Sequence, residues 1–485
     1  MSTVDGPHAG AVALAERVDE PPDGAAPGRG AARSGPAWFA VTATLVVGLA
    51  PLLLIASTQQ VGRSPWAWAW ALAVLVGLRY AWLVAEHAQR TFEIVFWLFS
   101  YAFMCLAPLV QLRTGTYPGT TPFIDTSLNG AALGVVALGL ASFAVGNRLA
   151  GRATRSNHAV SAVRVLPGRL AVFTVLALLL AAGYVLRVGP TAFLGSRSAR
   201  DLAEVAAFSN STVRAVIKAA AALPLLVSFA GLVQVRRERR ELGSHLSIAP
   251  QIVVLLTLFV VANPLSSPRY YSGTALLSIL AVLGATATLG RARVFALILI
   301  AGLVLVFPYA DLTRRASVDM AAVTAGGPSA TLTSSDFDAF DQVNNSIAYV
   351  HEFGYTRVSQ LGGAVLFFVP RTLWQTKPED TGILLGKFRD APTNNLSAPV
   401  WAEFFLAGGW AAVALGMAGL GWLIRRLDQN AVKRSVARLS AGPLNQILPF
   451  YAIIMLRGSL LQSMAGFSVL AFSGAFVSRR VRREL

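Results

Sequence analysis

Five arginines in this sequence border or interrupt apolar stretches, and their side chains could bind phosphate. They are Arg197 and Arg200 in "FLGSRSAR", Arg269 in "NPLSSPRYYSG", Arg371 in "FFVPRTLWQTKP" and Arg457 in "MLRGS". A guanidinium group binds phosphate oxygens through two parallel hydrogen bonds. Several such groups at one surface would hold a pyrophosphate, and Lys377 would add a further cation near Arg371. The structural alternative is that each arginine snorkels to a membrane surface or fixes the topology of its helix.

Three residues are candidates for acid–base chemistry. Glu403 lies in "SAPVWAEFFLAGG", where a polar stretch becomes apolar, and His351 and Glu352 are adjacent in "HEF". A carboxylate at the edge of a membrane span is suited to act as a general base. The candidates rank in the order Glu403, Glu352, His351. The alternative is structural: Glu403 would pair with one of the arginines, and His351 and Glu352 would be ordinary loop residues.

Two tryptophans and two asparagines are candidate sugar ligands. They are Trp374, Trp401, Asn394 and Asn395. An aromatic ring packs against the apolar face of a pyranose, and amide groups hydrogen-bond sugar hydroxyls. Tryptophans also anchor helices at membrane interfaces, and asparagines also form turns, so both structural uses stay open.

Known metal and nucleotide motifs are missing from the sequence. The stretch "DFDAFD" (336–341) supplies three carboxylates, but it lacks the glycine and the closing glutamate of a calcium loop. There is no Walker loop, no H-E-x-x-H and no G-x-S-x-G sequence. We therefore expect no metal site and no cofactor.

The composition indicates a chain that is dissolved in lipid. Of 485 residues, 55% are hydrophobic and 13% charged, and the mean hydropathy is +0.58; soluble domains have roughly 25% charged residues. The single cysteine, Cys105, excludes a disulfide framework. The net charge of +17 comes from basic residues between apolar segments, which favours a membrane protein over a nucleic-acid partner.

The apolar segments predict an all-α polytopic membrane protein, because about 20 apolar residues form a spanning helix. Twelve predicted spans cover residues 37–57, 65–85, 92–111, 124–146, 168–187, 213–235, 248–265, 271–289, 294–310, 402–424, 443–457 and 460–478.

The basic loops predict the topology. Arginine-rich loops near residues 148–169, 236–240, 291–293, 425–434 and 479–483 all fall on the side of the N-terminus. By the positive-inside rule both termini are cytoplasmic, and the protein is expected in the cytoplasmic (inner) membrane. Residues 1–35 form a disordered tail, 36–310 hold the first nine spans, 311–401 form a large extracytoplasmic loop, and 402–485 hold the last three spans and a basic end. Within the loop, 358–370 is too short to span and predicts a re-entrant or interfacial helix.

The polar segment within and after this loop resembles a known family. "FFVPRTLWQTKP", then Gly382, then "NNLSAPVWAEFFLAGG" is similar, in the order and spacing of Pro-Arg, Trp, Lys-Pro, Asn, Ser-x-Pro, Glu and paired Gly, to the oligosaccharide repeat unit polymerases. These are the Wzy-type polymerases of O-antigen, capsule and exopolysaccharide synthesis. "NPLSSPRYYSG" and "FLGSRSAR" also resemble segments of that family. Residues 367–409 are called the signature segment below.

The resemblance implies an inverting, metal-independent membrane glycosyltransferase. Its donor and acceptor would be undecaprenyl-pyrophosphate-linked oligosaccharides in the membrane lipid, and its partners would include a flippase and a chain-length regulator. Carried onto this chain, the five arginines and Lys377 would bind pyrophosphate, and Glu403, Glu352 or His351 would serve the acceptor hydroxyl.

Two other functions stay open at this level. An O-antigen-ligase-like transferase would use the same donor and the same kind of outer loop. A polysaccharide or lipid-linked sugar transporter would instead place charged residues within its spans, and few occur there. A polyprenyl-phosphate-dependent glycosyltransferase with acidic residues in its first outer loop is disfavoured, because "STQQVGRSP" (57–65) has none.

Overall fold

The computed structural model describes residues 29–86, 89–153, 161–302, 329–392, 396–437 and 439–481. Most of the predicted N-terminal tail lies outside these ranges, and so do residues 303–328, which cover the end of the ninth predicted span and the start of the predicted loop. Within the described ranges, eight helical segments are long and apolar enough to cross a membrane. They are Gly35–Ala56, Trp66–Ala85, Thr91–Thr114, Thr126–Arg152, Pro167–Val188, Val213–Glu241, Val400–Val436 and Leu460–Val477. This architecture indicates a multi-pass membrane protein.

The described helices and strands follow in chain order. They are α1 (Arg29–Ala43), α2 (Ala50–Ala56), α3 (Trp66–Ala85), α4 (Thr91–Tyr101), α5 (Ala107–Thr114), α6 (Asn129–Ala153), β1 (Ala162–Val165), α7 (Pro167–Val188), α8 (Pro190–Leu194), α9 (Arg197–Ala207), α10 (Ser211–Glu241), α11 (Ala249–Val261), α12 (Arg269–Leu280), α13 (Leu289–Ala301), α14 (Ala339–Phe353), α15 (Ser359–Val365), α16 (Thr381–Phe388), α17 (Val400–Val436), α18 (Leu444–Arg457), α19 (Leu460–Val477) and β2 (Ser478–Val481). Turns of π-helix at Thr44–Leu49, Ala102–Leu106 and Ala281–Ala285 extend α1, α4 and α12.

Each of the eight long segments coincides with a predicted span. The other four predicted spans fall on shorter helices: α11 and α18 are apolar but brief, α12 ends in a π-turn kinked at Gly284, and α13 leads out of the described residues. In the described part of the chain, one sheet pairs β1 with β2 antiparallel, with Ala162 opposite Val481. It connects the residues before α7 to those after α19.

Two apolar cores hold the helices together. The first lies around α3 to α6 and α17, and the second around α7, α10, α11 and α19. Segment Thr91–Thr114 is the most enclosed, whereas α7 leaves Leu179 and Leu186 exposed, as expected of a helix that faces lipid. Helices α6 and α17 touch backbone to backbone, because a Cβ at Gly421 would lie 2.1 Å from the carbonyl oxygen of Phe143.

Helix α17 is divided into two parts by the paired glycines that end the signature segment. Gly409 has a φ of 64°, a left-handed conformation that glycine adopts at little cost, and both it and Gly408 leave helical geometry. A Cβ at Gly409 would also lie 2.7 Å from the Tyr355 hydroxyl. The kink therefore separates the first two turns of α17, which carry Glu403, from the long apolar part.

Candidate functional site

Glu403 is fully buried where three helices begin. The Thr381 hydroxyl of α16 donates a hydrogen bond to its Oε2 at 2.9 Å, and the backbone N–H of Leu460, the first residue of α19, donates to its Oε1 at 2.9 Å. Its side chain is 1% exposed. The carboxylate thus joins the signature segment to the turn between α18 and α19, and it also caps the N-terminus of α19.

Asp380 is a second carboxyl group in the same place. It accepts a hydrogen bond from the backbone N–H of Gly382 at 2.9 Å as the N-cap of α16, and the Ser459 hydroxyl lies beside both Asp380 and Glu403. Burial raises the pKa of Asp380, and the nearby Ser459 hydroxyl and the hydrogen bonds from the α16 backbone offset part of this increase. Sequence analysis missed this residue, although an aspartate before Thr-Gly is a typical N-cap signal.

Basic side chains do not neutralise this carboxyl pair directly. Among the residues that the structure describes, no lysine, arginine or histidine nitrogen lies within 4.0 Å of a Glu403 carboxylate oxygen. The expected structural alternative, an ion pair between Glu403 and an arginine, is therefore not found in this part of the chain. Two neighbouring carboxyl groups, bonded to hydroxyls and backbone N–H groups, can hold and release a proton between them.

Two of the predicted pyrophosphate ligands meet at the turn Ser335–Phe337. Arg457 forms an ion pair with Asp338 at 3.1 Å, and Arg269 forms one with Asp336 at 2.5 Å. Tyr270 lies between them: the Arg457 guanidinium lies 4.3 Å from its ring centroid, and its hydroxyl donates to the Asp336 carbonyl at 2.8 Å. Both arginines are largely buried and already balanced by carboxylates of "DFDAFD".

Arg200 is enclosed by a different set of partners. Its guanidinium donates to Glu204 at 2.8 Å and to the Ser267 hydroxyl at 2.7 Å, and its side chain is 1% exposed. Burial acts to raise the pKa of Glu204, but Lys218 and three hydrogen bonds outweigh it and lower that pKa. Arg200 is thus a buried structural residue in this conformation, and the prediction that it binds pyrophosphate does not fit this placement.

Arg197 is more exposed to solvent than Arg200. It is partly exposed and forms a loose ion pair with Asp201, with 3.5 Å between the Nε and the carboxylate oxygen. Within the described residues, no hydrogen bond or ion pair joins Arg197 to Glu403.

Arg371 and Lys377 fold the first part of the signature segment back on itself. Arg371 donates to the carbonyls of Lys377 and Pro378 at 2.8 and 3.1 Å, while the Lys377 ammonium donates to the carbonyls of Phe367 and Val369. Burial, with a smaller effect of the Arg371 charge, lowers the pKa of Lys377. Arg371 stays exposed, and it is the predicted ligand that is most open to solvent.

The folded turn lies close to the start of α19. A Cβ at Gly363 of α15 would lie 2.5 Å from the Pro378 ring and 3.3 Å from Leu461. Helix α15 has only seven residues, too few to span a membrane, and Val365, Phe368 and Leu373 around it are exposed. Exposed apolar side chains beside a short helix fit the predicted interfacial segment.

The remaining predicted residues are dispersed. His351 and Glu352 are exposed at the end of α14, and Trp374 is half-buried, with its indole N–H donating to Thr376. Trp401 is fully buried beside Phe96 and bonds the Val136 carbonyl, so the prediction that it contacts sugar does not fit this placement. Asn394 and Asn395 lie outside the described residues.

Comparison of the chain with models of protein families, with curated proteins and with solved structures gives no match.

Proposed function

We propose that this protein is a membrane glycosyltransferase that polymerises undecaprenyl-pyrophosphate-linked oligosaccharide repeat units on the outer face of the cytoplasmic membrane. In this proposal the chain crosses the membrane twelve times, with the four shorter apolar segments included, and both termini are cytoplasmic. The signature segment then lies on the outer side, where a lipid-linked sugar would meet Glu403.

The environment of Glu403 carries this proposal. The carboxyl group is buried, it lies beside a second carboxyl and two hydroxyls, and no described cation neutralises it. A general base needs a carboxylate that can accept a proton without first breaking an ion pair. The hairpin turn between α18 and α19 brings Arg457 within three residues of the backbone N–H that Glu403 binds.

The proposed reaction is a single displacement with inversion. Glu403 accepts the proton of the acceptor hydroxyl as its oxygen attacks the anomeric carbon of the donor glycan. The bond from that carbon to the pyrophosphate oxygen breaks, and the lipid pyrophosphate leaves with the electron pair. Cations placed beforehand at the leaving group stabilise the growing negative charge.

The placement of the arginines narrows the set that would bind pyrophosphate. Arg371 is exposed, and Lys377 lies directly beside it, so these two are the first contacts for the leaving group. Arg457 and Arg269 are paired with Asp338 and Asp336, and a pyrophosphate would have to compete with these carboxylates. Arg200 supports the fold in this account and does not touch the substrate.

The test is Glu403→Gln in a strain that lacks the chromosomal gene. Glutamine keeps an oxygen that accepts the hydrogen bonds from Thr381 or Leu460, but it cannot take a proton, so we expect polymer formation to fall by about 10²- to 10⁴-fold. Polymer length is read from a ladder of the extracted surface polysaccharide, and protein level from membrane immunoblots.

Glu379→Gln is the matched control, because Glu379 is an exposed carboxylate of the same segment that pairs with Lys387. Normal ladders from both variants, at equal protein levels, would remove Glu403 from the chemistry. Long chains that accumulate on the lipid in the deletion strain would identify a ligase instead.

A further inference from the structure

One face of α14 changes from buried polar residues to exposed aromatic ones along its length. Asp338, Gln342, Asn345, Tyr349 and Phe353 recur every three or four positions, and Asp341 lies three positions after Asp338 and four before Asn345, so all six lie on the same side of the helix. At the rise of an α-helix they extend over about 20 Å. None of these residues belongs to the predicted site.

The inner half of this face has hydrogen-bonding groups without partners. Asp341 is 1% exposed, and Gln342 and Asn345 are fully buried. The Asn345 side-chain N–H donates to Gln342 Oε1 at 3.2 Å, whereas Oδ1 of Asp341 and Nε2 of Gln342 have no hydrogen-bond partner within the described parts of the chain. Buried polar atoms are nearly always paired in folded proteins, so these two unmatched atoms point to a ligand that offers hydrogen-bonding groups to both.

The outer half is an aromatic platform around Arg389. The Arg389 Nε donates to Asn345 Oδ1 at 2.8 Å, and its guanidinium lies 4.6 Å from the ring centroid of Phe388 and 5.4 Å from that of Phe123. Phe123 and Phe353 are 61% and 62% exposed. Arg389 therefore links the exposed rings to the buried amides.

We propose that this face of α14, together with Arg389 and Phe123, binds the oligosaccharide chain of a substrate. Sugar rings have apolar faces that pack on aromatic rings, and each sugar hydroxyl donates and accepts hydrogen bonds, as Gln342 and Asp341 require. The inner half is closed to solvent here, so binding opens it by moving α14 away from the helices packed on it. The inference rests on the proposed function for its choice of ligand.

The position of this face of α14 relative to Glu403 determines which way the bound oligosaccharide would lie. Asp338, at the inner end, accepts a hydrogen bond from the Ser397 N–H and pairs with Arg457. Ser397 belongs to the same segment as Glu403, and Arg457 precedes the turn that Glu403 caps. The inner end of the bound oligosaccharide would therefore lie nearest the carboxyl pair, and the rest of the chain would lie on the aromatic rings.

Gln342→Met separates ligand binding from a purely structural role. Methionine has a similar size, but it removes both the unpartnered amide N–H and the Oε1 that accepts the Asn345 N–H, so thermal stability should stay the same or fall slightly. The matched control is Gln375→Met, at an exposed glutamine of the signature segment. A second variant, Arg389→Ala, tests the outer half.

The experiment measures oligosaccharide binding by the full chain in detergent. All proteins carry Glu403→Gln, so that no turnover occurs, and the probe is the oligosaccharide mixture released by mild acid from the host's surface polysaccharide. We expect the mixture to raise the melting temperature of the parent and of Gln375→Met in proportion to its concentration. The apparent affinity should fall by about tenfold in Gln342→Met and in Arg389→Ala.

Three outcomes decide the inference. No stabilisation of the parent, or equal stabilisation of all variants, overturns it. Weakened binding in both Gln342→Met and Arg389→Ala, with unweakened binding in Gln375→Met, supports it. If binding behaves as expected but the deletion strain still makes normal polymer, the sugar site stands and the proposed polymerase function fails.

Discussion

The chemistry assigned to Glu403 depends on its immediate neighbours. Its two oxygens accept hydrogen bonds from Thr381 and from the Leu460 N–H, and the Asp380 carboxyl lies nearby. These contacts hold the group in one orientation, which a base that must meet a substrate hydroxyl requires. They also give Glu403 a structural role as a helix cap, so the variant used to test it must keep an acceptor oxygen.

Asp341 provides a test of the buried polar face of α14 that does not need a substrate. Burial, reinforced by the nearby charge of Asp338, raises the pKa of Asp341 well above its ordinary value. The folded protein then retains a proton that the unfolded chain loses. The contribution of this group to the free energy of unfolding therefore falls as the pH rises above the unfolded value of about 4 and through the folded pKa.

Asp341→Asn should remove this pH dependence. We expect the variant to gain stability over the wild type as the pH rises from about 4 to about 8. The measurement is the difference between the two melting temperatures across that range in one detergent. A difference in melting temperature that does not change with pH would show that burial does not shift the pKa of Asp341.

Single residues were placed poorly from the sequence, even where a local pattern was available. The Arg200–Glu204 pair follows from a spacing of four on a helix, yet sequence analysis assigned Arg200 to the substrate. The capping of α19 by Glu403 joins residues 57 positions apart, and no local pattern specifies such a contact.

At the scale of elements, short helices and helix kinks position the residues of the site. The long helices hold these elements in place. The paired glycines break α17, α16 begins at Asp380, and the α18–α19 turn brings Arg457 and Leu460 together. The apolar composition predicted the eight long segments well. It did not predict the kink in α17 or the packing of the signature segment, because both depend on contacts between distant residues.

The Arg457–Asp338 pair allows the structural and chemical roles of Arg457 to be separated. The two side chains are 18% and 2% exposed, so removal of one partner leaves a buried charge. Asp338→Asn alone should cost about 3 kcal/mol of stability but keep polymer formation, because Arg457 is still present. Asparagine also keeps an oxygen that can accept the Ser397 N–H.

The double variant Arg457→Met/Asp338→Asn should recover most of that stability and make no polymer. Melting temperatures and polysaccharide ladders are measured for the wild type, Asp338→Asn and the double variant. A double variant that is both stable and active would assign Arg457 to the fold alone.

At the scale of the whole molecule, the proposal requires the signature segment to lie on the outer side of the cytoplasmic membrane. The basic end of α17 must then lie on the cytoplasmic side. The only cysteine of the chain, Cys105, is buried, so a background with Cys105→Ala has no thiol. Thr372→Cys and Asn430→Cys then place single thiols at exposed positions of the signature segment and of the basic segment.

A membrane-impermeant maleimide applied to intact cells should label Thr372→Cys and should label Asn430→Cys only after permeabilisation. The positive-inside rule is the physical basis of this expectation, since residues 425–434 are rich in arginine and lysine. The opposite pattern would place the proposed site in the cytoplasm.

The central claim is that this chain, by itself, joins lipid-linked oligosaccharides through the carboxyl group of Glu403. The most direct measurement uses the purified full-length protein in liposomes with lipid-linked repeat units extracted from the deletion strain, in the presence of a metal chelator. The account predicts a ladder of longer lipid-linked glycans with the wild-type protein and unextended units with Glu403→Gln. Unextended units with the wild type, or equal ladders from both proteins, would contradict it.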